Sequence, residues 1–325
     1  CLSRGLGDVY KRQLKMLIFK HLFTALLLLC TLQAMAVTRD ADTLSCSTTL
    51  GADTVWPKTG DSNVDLRRLT LKTNALMVGF GATNILDTYL STETYRGADI
   101  RFLSYTRRER DASPWINQFQ HEGHLAYADN RSGNGGTMMG AYTFRYSLLH
   151  KWNVDLWRHP LQINAGGTVA ANVGFIYNTR NGNNPANARL SLHVEPTVGF
   201  DYPLGRVAHR RGVSFRPGHC AHFPLILHYE ASVPLVGLMF SPNYGQSYYE
   251  LFNRGNYDHN CVPTTFASTP SFRQLLTLDF RLARTIFRVG YLGTIEQSHV
   301  NHLKTHVYTH SLMIGIVKRF RTVKQ

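Results

Sequence analysis

Strict alternation of apolar and polar side chains, sustained over segments too long for an ordinary strand, is the feature that most limits what this chain can fold into. From Leu161 to Phe175 one face carries Leu161, Ile163, Val169, Val173 and Phe175, and the other Gln162, Asn164, Thr168 and Asn172. Residues 188–200 repeat it, with Leu190, Leu192, Val194 and Val198 against Arg189, Ser191, His193 and Glu195. Residues 223–235 do so again, with Leu225, Leu227 and Tyr229 against His228, Glu230 and Ser232. Period two means strands with two chemically different faces. A soluble strand is usually about 5–6 residues long; a tilted membrane-crossing strand needs about 9–11.

Register sharpens one hairpin. Phe272, Leu276, Leu278, Phe280 and Leu282 share a face, and Phe287, Val289, Tyr291 and Ile295 share another after Ala283-Arg284. A two-residue turn pairs Leu282 with Thr285 and Leu276 with Tyr291, so the apolar faces coincide and Asp279 lies opposite Arg288. A slip of one residue turns one apolar set to the wrong side.

The pattern predicts about ten strands (8–12 fit): 69–82, 97–108, 116–129, 138–150, 161–177, 187–201, 223–236, 272–282, 285–296 and 304–320. The first, second and last alternate least cleanly. An even number leaves both ends of the chain on one side, as in bacterial outer-membrane barrels. Alternation alone does not say which face is inside. Charge does: Arg145, Arg189, Glu195, Glu230, Asp279 and Arg288 sit on the polar face and fill a lumen as opposite-signed pairs if the apolar face meets lipid. Aromatics near strand ends, Tyr142, Trp152, Trp157, Tyr177, Tyr202 and Phe320 among them, suit interfacial girdles. The expected fold class is therefore all-β, an antiparallel transmembrane β-barrel.

The chain's beginning reads separately. Residues 1–15 have the look of a translated adapter ahead of a start at Met16. Residues 16–36 read as a cleaved signal peptide, with basic Lys20, an apolar run over 22–32 and Ala34-Met35-Ala36 before the cut. Residues 37–68 read as an N-terminal arm or linker, and 69–325 as the barrel. Of the formal charge of +14, about +4 leaves with residues 1–36, so about +10 remains. Such a chain is drawn to phosphate-rich surfaces, which points to outer-membrane lipid and lipopolysaccharide as partners. Export and the lack of any basic helix or nucleic-acid motif argue against nucleic acid. Three cysteines remain, Cys46, Cys220 and Cys261, an odd number that rules out full internal pairing.

Several polar and aromatic motifs fall in the connections. Gly81-Ala82 leading to Leu86-Asp87-Thr88-Tyr89-Leu90-Ser91, the run Arg180-Asn181-Gly182-Asn183-Asn184-Pro185-Ala186, Phe240-Ser241-Pro242-Asn243-Tyr244-Gly245 with Tyr248-Tyr249-Glu250, and Asn301-His302-Leu303 resemble, in that order, domain-of-unknown-function family 3316. The resemblance covers about residues 75–320. It implies an exported, barrel-like protein of a Gram-negative outer membrane and names no reaction.

No pattern commits the chain to catalysis, a metal or a cofactor. Ser232, Glu230 and His228 share a strand face and could combine as nucleophile, orienter and base, but a polar lumen ladder is the preferred account of them. His306 and His310 lie two pleats apart, too far to share one ion. About ten strands enclose little lumen, whereas general porins use about 16–18. The reading is thus an outer-membrane barrel, monomeric, that binds through its external loops or serves a structural role. Narrow-channel transport of a small solute and an outer-membrane lipid-modifying hydrolase are the alternatives. The residues expected to meet a glycan or peptide are Asp87, Tyr89, Arg180, Asn183, Asn184, Tyr244, Tyr248, Tyr249, Glu250 and His302, because Tyr and Asn supply stacking surface and adaptable hydrogen bonds on loops. The competing reading makes the same residues a lid that knits the loops together.

Overall fold

The computed structural model describes residues 69–110, 113–156, 159–206, 224–255, 257, 259–282 and 285–323, within the unit Thr59–Gln325. The expected leader, arm and adapter, with Cys46, Cys220, Trp157 and most of the connection after residue 206, lie outside them. Among the described residues there are twelve strands: β1 (Leu69–Asp87), β2 (Ser91–Arg110), β3 (Trp115–Asp129), β4 (Gly136–Leu156), β5 (His159–Asn178), β6 (Ala186–Arg206), β7 (Pro224–Ser232), β8 (Val236–Phe240), β9 (Cys261–Thr265), β10 (Phe272–Leu282), β11 (Thr285–Val300) and β12 (Leu303–Val323). One helix, α1 (Tyr248–Arg254), lies between β8 and β9. No helix among the described residues is long and apolar enough to cross a membrane.

Ten of the strands close into an antiparallel barrel. The ring runs β1-β2-β3-β4-β5-β6-β7-β10-β11-β12, and β12 returns to β1. β8 continues β7 along β6 after a break at residues 233–235, and β9 pairs with β8. The β10–β11 register follows the apolar pattern, with Leu282 opposite Thr285, Phe280 opposite Phe287, and Asp279 opposite Arg288.

The two faces of the wall are inverted relative to a soluble barrel. Leu312 is 73% exposed and Ile314 61%; Phe80, Val173, Leu192 and Val198 also face outward. Inside are Arg101, Arg107, Glu122, Arg145, Glu195, Glu230, Arg273, Asp279 and Arg288, all buried. Water outside would favour the opposite arrangement. Hydrocarbon outside requires this one, with every backbone group paired around a ring.

The strands extend beyond the alternating segments. The chain between β1 and β2 is only the turn Thr88–Leu90, not a loop over 85–96. The weak alternation of β1, β2 and β12 has a packing cause. Met77, Leu103 and Met313 turn inward and meet Leu275 and Leu292 in an apolar cluster within the lumen, so both faces of these strands carry apolar residues. Gly79 makes room there, since a Cβ would sit 2.1 Å from the Met313 sulfur. The segment 237–271, expected as one connection, holds β8, α1 and β9.

Ion pairs cross the interior in tiers. Arg288 donates to Asp279 through Nε at 2.5 Å and Nη2 at 2.9 Å, and Arg319 donates to the same carboxylate at 2.6 Å. Arg107 pairs with Asp201 at 2.8 Å. Glu230 accepts from Gln118, Gln120 and Arg273, and Arg273 also pairs with Glu122. Arg145 binds Glu195 and Ser232. Arg101 reaches Thr294 and Thr309, and Arg189 binds Glu296 at 2.9 Å.

Two substitutions test this inversion. Asp279→Ala strands the buried Arg288 and the partly buried Arg319, and breaking a buried pair costs about 3–5 kcal/mol. Glu93→Ala removes the half-exposed pair with Arg180, and a solvent-screened surface pair contributes little. Heat-dependent gel mobility should therefore shift far more for the first. Ile314→Arg should destabilise the barrel in lipid by about 2–4 kcal/mol; unchanged stability would mean that this face meets water.

Candidate functional site

All the described connections that carry the singled-out motifs gather at one end of the barrel, opposite the end where Leu69 pairs with Val323. These are the β1–β2 turn, residues 179–185, residues 241–260 and the Asn301-His302 turn, and the connection 130–135 lies at the same end. Hydrogen bonds tie them to one another. Asn181 Nδ2 donates to the Leu90 carbonyl at 3.2 Å, Asn130 Nδ2 to Glu93 at 2.8 Å, and Thr88 N–H to the Lys304 carbonyl at 3.1 Å. Asn301 Nδ2 donates to the carbonyls of Ser241 and His259, both at 3.0 Å.

Five of the ten candidate residues spend polar groups on this frame. Asp87 accepts from Tyr89 N–H at 3.1 Å and from Asn187 Nδ2 at 2.7 Å. Tyr248 OH donates to Asn187 Oδ1 at 2.8 Å and accepts from Ala188 N–H at 2.6 Å. Tyr89 OH donates to the Gln246 carbonyl at 2.8 Å, and its ring packs edge-on against Tyr248. Arg180 pairs with Glu93 at 2.9 Å. Glu250 belongs to a capping box: Ser247 Oγ accepts from Glu250 N–H at 3.2 Å, and the Glu250 carboxylate accepts from Ser247 N–H at 3.1 Å. The cap starts α1, and Gly255, at φ 65°, ends it in the left-handed conformation that glycine adopts without strain.

The others point toward solvent or form turns. Tyr244 is 75% exposed and Tyr249 63%. Asn183 and Asn184 both donate their backbone N–H to Asn181 Oδ1, which makes that tip a side-chain-stabilised turn. His302 is exposed at φ 61° in the β11–β12 turn. Phe252, at 68% exposed, and Tyr257 join the exposed aromatics of the 241–260 segment. Neither was singled out in the sequence; the capping box Ser247-x-x-Glu250 is the signal that could have placed Phe252 on the open side of a short helix.

Beneath the loops lies a second apolar cluster of Ile85, Leu90, Tyr95, Ala126, Ala128, Met139, Ile176 and Val307, with Tyr89 against it. The hydrolase-like trio is dispersed in function: His228 Nδ1 bonds Asp201 at 2.6 Å, Glu230 bonds Gln118, Gln120 and Arg273, and Ser232 bonds Arg145. No group of three or more potential metal ligands converges among the described residues.

Burial pushes the phenol of Tyr89 up to about 12, and does the same for Tyr248. Because these folded values lie above that of a free phenol, their contribution is complete below about pH 10 and disappears as pH rises through about 12. Tyr248→Phe loses both bonds to the β6 end. Limited proteolysis should then cut the 241–260 segment faster at pH 7, and the wild type should show the same sensitivity only when taken above about pH 11. Equal cutting rates at pH 7 would show that Tyr248 does not hold the segment.

Comparison with solved structures finds other barrels of low similarity. The transport unit of the autotransporter AIDA-I from Escherichia coli matches at 7% identity and a TM-score of 0.38, covering 84% of this chain and 95% of that one. The translocator domain of the autotransporter NalP from Neisseria meningitidis matches at 10% identity and a TM-score of 0.33, covering 90% and 96%. Neisserial surface protein A matches at 9% identity and a TM-score of 0.27, covering 75% and 96%. No curated protein matches the sequence. A family model does, over residues 24–325, and with that span the chain belongs to the family described as protein of unknown function DUF3316.

Proposed function

We propose that this protein is an outer-membrane barrel whose lumen is filled, and that it acts through the surface presented at its loop end, which faces outward from the cell. The observation that carries the reading is the contact between opposite walls. β3 and β10 lie half-way round the ring from each other, yet Arg273 of β10 bonds both Gln120 and Glu122 of β3. A side-chain bridge across the diameter narrows the lumen at that level, which supports a barrel that is not a general porin. With the lumen narrowed, the exposed chemistry that remains is Tyr244, Tyr249 and Phe252 on a segment held by the capping box, buried Leu251 and the Tyr248 bonds. Rigid exposed aromatics bury much area at low entropic cost, and with Asn183, Asn184, Arg180 and His302 at the same end they suit a glycan or peptide. Asp87, Tyr89, Tyr248 and Glu250 then support the surface rather than touch the ligand. Lipopolysaccharide is the lipid partner this placement favours.

Planar-bilayer recording tests the closed lumen: the protein should give no stable open-channel steps, and uptake of sugars by liposomes containing it would overturn the reading. Glycan-array profiling tests the surface. Tyr244→Ala should remove signal while the heat-modification temperature stays unchanged; an unchanged array, or a loss of stability, would show a lid instead.

A further inference from the structure

The outward face of the wall carries a cluster of cations where its apolar band ends. On β1 that face reads Leu76, Val78, Phe80 and Ala82, all exposed, between Asn74 and Asn84. The step from residue 74 to residue 84 rises about 33 Å along a strand. A tilt of about 40° reduces this to about 25 Å, the height of a lipid-facing apolar band. Asn74 therefore marks the lipid boundary at the end where Leu69 pairs with Val323.

Basic side chains from three adjacent strands meet at that boundary. Lys318 of β12 lies opposite Asn74, and Lys72 lies opposite both Phe320 and Arg108. Arg110 follows Arg108 on the same face of β2. Directly opposed residues on paired strands have Cβ atoms about 4.5–5.5 Å apart and diagonal ones about 7–8 Å, and like charges placed directly opposite destabilise the pair. Two rings of the same face sit under these cations: Lys72 Nζ is 5.3 Å from the Phe320 centroid, and the Arg108 guanidinium is 5.6 Å from that of Phe119. Arg108, Arg110 and Lys318 are exposed and have no carboxylate partner among the described residues. The carboxylates nearest in register are turned into the lumen, where Glu109 pairs with Arg107 and Lys151, and Asp279 with Arg288 and Arg319. Around the rest of this end the outward face is apolar, with Leu148, Ile163, Val198, Leu204 and Leu282 exposed. The positive charge is thus local, uncompensated and open to the bilayer.

We propose that Arg108, Arg110 and Lys318 bind an anionic phospholipid of the leaflet at this end. Its phosphate sits at the lipid boundary and its acyl chains lie along Leu76, Val78 and Ile316. A phosphate offers the paired acceptors that a guanidinium fork takes, and it offsets the repulsion within the cluster. A zwitterionic headgroup brings a cation of its own and fits less well. That this leaflet is the periplasmic one rests on the reading above, in which the loop end faces outward.

Native mass spectrometry tests the site. The detergent-solubilised protein is titrated with phosphatidylglycerol and, separately, with phosphatidylcholine of the same acyl chains. One basic side chain near an anionic surface is worth about fivefold, the equivalent of about 1 kcal/mol. The phosphatidylglycerol adduct should therefore saturate at a concentration at least about tenfold below phosphatidylcholine. Arg108→Gln with Lys318→Gln should bring the two lipids to within about fivefold, while Arg96→Gln with Lys304→Gln, which removes the same charge from the other end of the same face, should leave the preference intact. Folding is checked by heat-dependent gel mobility, and Lys318→Gln alone is read if a double variant does not fold. Equal saturation of the two lipids by the wild type would mean cations that only reach for the interface, and would overturn the proposal. Equal losses in the two double variants would mean an effect of net charge, and would overturn it too. The leaflet is tested apart from binding: an impermeant maleimide should label intact cells in a manner lost with Cys261→Ser, since Cys261 is exposed at the loop end. Absence of that labelling would overturn the leaflet assignment and leave the binding result standing.

Discussion

β1 and β12 pair along the whole length of β1, from Leu69 opposite Val323 to Asp87 opposite Thr305, and every other feature of the molecule depends on that closure. In hydrocarbon an unpaired strand edge exposes peptide groups that nothing can satisfy. Closing the ring removes the edges, fixes the lumen's cross-section, and brings residues far apart in sequence to facing walls. Asp279 illustrates it: its two arginine partners come from β11 and β12, so the carboxylate is satisfied only beside the closing strands.

The interior so formed is packed rather than open. Apolar clusters alternate with tiers of paired charges, and the tiers are connected through amide and hydroxyl groups such as Gln118, Gln120, Thr294 and Thr309. The loops rest on that platform, with Tyr89 against the upper apolar cluster and Asn187 holding both Asp87 and Tyr248.

What could be read from the sequence follows the range of the forces involved. The β10–β11 hairpin was legible to the residue, because its partners are neighbours in the chain and a slip would flip every side chain. The number of wall strands was legible for the same reason. β9 was not: it is five residues long and contains Pro263, which argues against a strand unless an edge is free. The helix α1 was signalled by Ser247 and Glu250 but lies in a stretch whose other residues read as loop. That the motif residues share one end followed from strand parity. That Asp87 and Tyr248 meet through Asn187 did not, because those contacts span 100 and 61 residues and exist only once the ring is closed.

The bridge from Arg273 to Glu122 has a consequence for how such a barrel is assembled correctly. Those two side chains meet only if every strand between β3 and β10 has settled in its proper register, on both arcs of the ring. A strand displaced by one residue turns its lumen charges toward lipid, where each costs up to about 2–4 kcal/mol near the midplane, and at the same time orphans their partners inside. Errors are therefore penalised twice, at sites distant from the fault. The network acts as proofreading built into the interior, rejecting mispaired barrels by energy alone.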